Sequence, residues 1–121
     1  MTIYPVRRIL SDMRWRIELS AEVAMWYSTL AVEDGATTDR ALERLATQGS
    51  HVRMPLSRSL GDGLFELRFA LQHGRVSQRI TYVFDAEREV ITLTTFRKTR
   101  DNERREVLRA RRAAARRREN R

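Results

Sequence analysis

Residues Gly63 to Phe84 read GLFELRFALQHGRVSQRITYVF, and this stretch decides the fold. In a strand, successive side chains point to opposite faces, so parity sorts the residues into two sets. Phe65, Leu67, Phe69 and Leu71 form an apolar set, with Leu64, Glu66, Arg68 and Ala70 opposite. Gln72-His73-Gly74 is a turn signal. Beyond it, Ile80, Tyr82 and Phe84 form the matching apolar set, with Ser77, Arg79, Thr81 and Val83 opposite. The stretch reads as a hairpin of strands at 64–71 and 75–84, each placing an arginine on the face turned away from the core.

A third strand fits 89–97 after a turn at Asp85-Ala86-Glu87-Arg88, and the short connections make an antiparallel meander. In it Ile91 and Leu93 are assigned inward, with Thr92, Thr94, Phe96 and Lys98 opposite. With unbroken alternation Arg68, Arg79 and Lys98 share the face that the helices leave uncovered, where a basic cleft would form. The plainer alternative is a solvated outer face on which Arg68 pairs with Glu66 or Glu89.

Upstream, Arg14 to Leu19 (RWRIEL) alternates as a short strand, and Ser20 caps a helix carrying Val23, Trp26, Tyr27 and Leu30 to about Val32. Asp34-Gly35 is expected to break it. A second helix fits 38–48, with Ala41, Leu42 and Leu45 inward and Gly49 as a left-handed C-terminal residue. Ser50 to Asp62 reads as a loop. From about Asn102 the chain is helix-forming and rich in arginine and alanine. Val107 and Leu108 are its only strongly apolar residues, so the first two turns should dock and the end, RRAAARRRENR, should be solvated or await a partner. The fold class is α+β in a single domain spanning 1–121, with an N-terminal extension at 1–13 and a basic tail at 113–121.

The formal net charge of +8 points to a polyanionic partner. Of the 24 basic residues only Lys98 is a lysine, and arginine's planar fork pairs bidentately with phosphate while holding its own proton. The absence of cysteine removes disulfides and thiolate chemistry. No apolar run is long enough to span a bilayer and no signal peptide is recognisable, so a cytoplasmic location without membrane attachment is expected. His51 and His73 lack metal or triad spacing, and there is no phosphate-binding glycine loop, zinc motif or nucleophile elbow. No cofactor and no metal are expected.

The order strand, helix, helix, meander and C-terminal helix, with GLFELR, RITYVFD, ITLTTFRKT and ERREVLRARR in sequence, resembles the RelE/ParE toxin superfamily. It is closest to the HigB-like branch that includes phage-derived relatives. The resemblance implies a RelE-like fold and a type II toxin that enters the ribosome and cuts mRNA without a metal. The partners it implies are a cognate helix-turn-helix antitoxin, in a possible heterotetramer, and the ribosome with its mRNA. It also implies that Arg68 and Arg79 clamp phosphate and that Lys98 transfers protons, with Arg97, Arg100, Glu66 and Arg75 as further RNA contacts. The chain departs from RelE at Glu66, where RelE places lysines on this strand, and in having no stacking tyrosine after Phe96. Glu66 is then either a base or an ion partner. A gyrase-directed toxin of the same fold and a basic nucleic-acid-binding module without catalysis are the competing readings.

Overall fold

The structure, a computed structural model, describes residues 2–4 and 14–120. It is α+β, in the order β1 (Thr2–Tyr4), β2 (Arg16–Leu19), α1 (Ala21–Ser28), α2 (Val32–Gln48), β3 (Ser57–Gly61), β4 (Leu64–Leu71), β5 (Val76–Asp85), β6 (Glu89–Arg97) and α3 (Glu103–Glu119). The strands form one sheet in the order β1-β2-β6-β5-β4-β3. The expected meander is β4-β5-β6, antiparallel throughout, and β2 lies parallel to β6. Within the stretch read as an N-terminal extension, Thr2–Tyr4 pairs antiparallel with β2, while residues 5–13 lie outside the described residues. Among the described residues no helix is long and apolar enough to cross a membrane.

One face of the sheet holds the main core. Ile17, Leu67, Ile80, Tyr82 and Val90 pack there with Val23 of α1 and Leu42 and Leu45 of α2. Full burial of each leucine contributes about 1.5–3 kcal/mol. Phe65, Tyr82 and Phe84 form an aromatic group beneath Trp15, with ring centroids 5.0–5.6 Å apart. The apolar set read from β4 and β5 is therefore the one that meets the helices.

The opposite face is not left open, contrary to expectation. Leu64, Ile91 and Leu93 pack there against Ala110 and Ala114 of α3. Ile91 and Leu93, assigned to the main core, instead form a second core under the last helix. The physical reason is register: Val90 lies opposite Phe84 and Ile91 opposite Val83, so alternation puts Val90 in the main core and Ile91 and Leu93 on the α3 side. A β-bulge follows in β6. Thr81 alone separates Ile80 from Tyr82, whereas Leu93 and Thr94 separate their partners Thr95 and Thr92. Parity changes at the bulge, and beyond it Phe96 lies opposite Arg79.

The helices also differ from the sequence reading. α1 stops at Ser28, and α2 starts at Val32, so Asp34-Gly35 lies inside its first turn instead of breaking a helix. Acidic Glu33 and Asp34 suit a helix N-terminus, and the Asp34 carboxylate accepts the Gln72 backbone N–H at 3.0 Å, tying α2 to the β4–β5 turn. Tyr27 donates to Asp39 at 2.5 Å and links the two helices. Gly49 ends α2 at φ 53°, ψ −122°, a positive φ as expected but outside the left-handed helical basin. A Cβ there would lie 2.0 Å from the Trp15 indole nitrogen, so glycine is required for Trp15 to close over the core.

α3 docks along its length and not only by its first two turns. Its buried residues are small alanines, and three arginines fasten it. Arg109 reaches Glu22 at 2.6 Å, Arg111 the Leu60 carbonyl at 2.5 Å, and Arg117 Asp85 at 3.0 Å. The expected solvated tail thus contributes Ala114 and Arg117 to the folded body, although Arg121 lies outside the described residues.

A buried hydroxyl pair gives the core a pH signature. Tyr82 Oη lies 2.5 Å from Ser57 Oγ. Burial raises the Tyr82 phenol above its ordinary 10.0, partly offset by the Ser57 bond. A raised folded-state value means that this contribution is complete below pH about 10 and is lost as pH rises through the folded value. We expect Tyr82→Phe to cost about 1 kcal/mol near neutrality, by leaving Ser57 unpaired. The variant should also lose less stability than the wild type between about pH 8 and about pH 11. Urea denaturation at the two pH values checks this, and parallel losses in both proteins would refute it.

Candidate functional site

The register brings together residues that are far apart in sequence. Arg68 lies opposite Arg79 across β4 and β5, and Arg79 opposite Phe96 of β6, so the three form one row across the sheet. One step along β4, Glu66 lies opposite Arg58 of β3. Glu66 is only 2% exposed, and Arg79 only 8%. Two like charges directly opposite on a sheet are destabilising, and burial raises that cost. Glu66 offsets it, with Oε2 3.2 Å from Arg58 Nε and 3.8 Å from Arg79 Nε.

Arg79 is the most constrained group. Burial lowers the tendency of its guanidinium to stay protonated, Glu66 opposes that effect, and neighbouring Arg68 and Arg58 add to it. Its Nη1 donates to the Gln78 carbonyl at 3.2 Å. Arg68 is half-buried, and its Nη1 meets the Met54 sulfur at 3.3 Å. The buried Nε atoms of Arg58, Arg68 and Arg79 make no hydrogen bond among the described residues, and Glu66 Oε2 meets those of Arg58 and Arg79 only at ion-pair distance. The arrangement is a set of three guanidinium groups, two of them paired with buried Glu66, that is short of hydrogen bonds, and a phosphate supplies acceptors in the geometry an arginine fork prefers.

Of the residues singled out from sequence, the structure brings Arg68, Arg79 and Glu66 into this cluster. Glu66 is an ion partner there, committed to Arg58 and close to Arg79. Lys98 continues the pairing of β6, its N–H bonding the Ser77 carbonyl at 2.7 Å, while its Nζ donates to the Thr99 carbonyl. Arg97 lies opposite Gln78, and alternation puts it on the other face from Arg79. Arg75 is exposed in the β4–β5 turn and Arg100 beyond the end of β6, so neither belongs to the row.

Two members were missed. Arg58 sits in a stretch read as loop that forms β3, and Glu103 begins α3 with its carboxylate 3.2 Å from Arg58 Nη2. The Asp62-Gly63 pair directly before Leu64 was a hairpin signal that would have announced β3.

α3 also borders a cleft of about 910 Å³ against β3, lined by Leu60, Val107, Leu108, Arg104, Arg105 and Arg111. Along α3, Arg104, Arg105, Arg112, Arg116 and Arg118 are exposed and, among the described residues, make no ion pair. Among the described residues no three His, Asp or Glu side chains gather in a metal-binding arrangement.

No curated protein matches the chain. The family described as phage-derived protein Gp49-like (DUF891) matches residues 25–119, from within α1 to the end of α3, which covers every element that builds the cluster. The chain therefore belongs to the phage-derived Gp49-like family, within the RelE toxin-like superfamily.

Proposed function

We propose that the protein is the toxin of a type II toxin-antitoxin pair, of the HigB-like branch, and that it cuts mRNA on the ribosome. The observation that carries this reading is the row of Arg68 and Arg79, joined by Arg58 around buried Glu66. RNA can be cut without a metal when the ribose 2′-hydroxyl attacks the adjacent phosphorus. The P–O5′ bond breaks, leaving a 2′,3′-cyclic phosphate and a 5′-hydroxyl end. The phosphorane-like transition state carries extra negative charge, and preorganised cations facing it are the strongest single means of lowering its energy. Arg68, Arg79 and Arg58 have that role in this reading, and Glu66 holds them in place. Arginine keeps its proton throughout the accessible pH range, so proton transfer falls to Lys98.

The partner in this reading is a small helix-turn-helix antitoxin, in a possible heterotetramer, for which the cleft between β3 and α3 offers Val107 and half-exposed Leu108. One observation favours a second reading. The five exposed arginines of α3 that make no ion pair among the described residues suit a nucleic-acid-binding module that never cuts.

Inducible expression with mapping of mRNA 5′ ends separates the two. The toxin reading expects new 5′-hydroxyl ends inside translated frames and none on untranslated transcripts. Growth arrest without such ends would point to another target such as gyrase. RNA binding with neither arrest nor ends would leave the module.

A further inference from the structure

Arg58 stands between two carboxylates in different surroundings. Glu66 is buried and belongs to the sheet, whereas Glu103 has a side chain 45% exposed at the first position of α3. Both approach Arg58 to 3.2 Å, one at Nε and the other at Nη2. The start of α3 is held firmly. Asn102 accepts the Thr99 N–H at 2.9 Å and donates to the Arg97 carbonyl at 2.8 Å, so the corner after β6 delivers Glu103 to Arg58.

We propose that Glu103 is the ligand-selecting residue of this site, its carboxylate occupying the anion position on Arg58 that a phosphate must take over. The inference rests on reading the cluster as a phosphate-binding site for RNA. An exposed ion pair holds weakly, so Glu103 can be displaced. A lone carboxylate or a small monoanion gains little by displacing it. A polynucleotide phosphate gains more, because it can engage Arg79 and Arg68 together with Arg58, and Glu103 pairs with Arg58 alone among the described residues. The residue thereby discriminates against single small anions and in favour of a phosphate chain. Its negative charge also supports the Arg79 cation, as Glu66 does more strongly.

The test measures binding of a fluorescently labelled single-stranded oligoribonucleotide to the full chain by anisotropy. Glu103→Gln is compared with wild type and with Glu119→Gln, which removes the same charge from the exposed far end of the same helix. The two positions are about 24 Å apart along the axis at about 1.5 Å per residue. That exceeds the Debye length of about 8 Å at physiological salt, so the control removes charge without touching the cluster. We expect Glu103→Gln to bind about five-fold more tightly and Glu119→Gln to stay within about two-fold of wild type. In an Arg58→Gln background the gain from Glu103→Gln should vanish, which a purely structural effect on α3 would not produce.

Equal affinities for Glu103→Gln and Glu119→Gln, or a gain that persists without Arg58, would overturn this inference alone. Failure of both wild type and Glu103→Gln to bind the oligoribonucleotide would overturn it together with the RNA reading of the site.

Discussion

Replacing Glu66 with glutamine should lower stability by about 3 kcal/mol, among the largest losses any single isosteric change can produce here. Glu66 is 2% exposed and lies within 3.2 Å of Arg58 and 3.8 Å of Arg79. Removing one partner of a buried ion pair costs about 3–5 kcal/mol, because the remaining charge stays buried without compensation. The lower end of that range applies because Arg58 is one-third exposed and can turn toward water and Glu103. Arg79 has no such exit, with Arg68 directly opposite. For a domain of this size the loss is a drop of roughly 10 °C in midpoint temperature. Chemical denaturation gives the free energy directly.

Two controls sharpen the result. Glu66→Leu combined with Arg79→Met removes both charges and should recover most of the loss, since apolar replacement of a buried pair is often neutral or better. Added phosphate or sulfate should also stabilise Glu66→Gln more than wild type, because an external anion then replaces the missing internal one. A Glu66→Gln protein within about 0.5 kcal/mol of wild type would mean that the cluster is wet and the site is not organised as described.

What the sequence disclosed follows from the range over which each signal acts. Alternation in GLFELRFAL and RITYVF placed Leu67, Ile80 and Tyr82 in the main core and put Glu66, Arg68 and Arg79 together on the other face. In a hairpin, parity and a short turn are enough to set register. The signal failed where a single residue intervened. Ile91 and Leu93 share the α3 side by alternation, and the bulge after Thr92 then keeps Phe96 on that side opposite Arg79; nothing in the run Val90 to Phe96 marks either the starting parity or the bulge. α3 was underestimated for a related reason. Its contact residues are Ala110 and Ala114, which carry little hydrophobic weight in a pattern but let a helix approach a sheet closely.

The cluster itself was half legible. Arg68 and Arg79 come from adjacent strands of one hairpin, whereas Arg58 and Glu103 arrive from β3 and α3, and no local pattern joins positions so far apart. Asp34-Gly35, expected to break a helix, lies in the first turn of α2, because an acidic residue suits a helix start as well as Asp-Gly suits a turn. The Gln72 N–H that accompanies Asp34 lies 38 residues away in the sequence.

If the protein cuts mRNA as proposed, Arg79→Lys should leave the fold nearly intact and lower RNA cleavage at least about 100-fold, the loss that follows removal of one donor facing a developing oxyanion. Lysine keeps a positive charge beside Glu66, so the penalty that threatens an alanine variant does not arise and stability should fall by only about 1 kcal/mol. It loses the fork. A guanidinium can face Glu66 with Nε while its terminal nitrogens reach a phosphate, whereas an ammonium is a point charge that Glu66 will hold for itself. The variant therefore separates two roles that alanine would confound. The assay follows 5′-hydroxyl ends against time on a translated message, with Arg44→Ala on the exposed side of α2 as a charge control expected to stay within about two-fold. Retention of more than half the cleavage by a folded Arg79→Lys protein would reduce Arg79 to a structural counter-ion of Glu66 and move the phosphate contact elsewhere. A 100-fold loss with the midpoint temperature nearly unchanged would assign the contact to this guanidinium and show why the fold tolerates burying it: the cost in the free protein is offset when phosphate is bound.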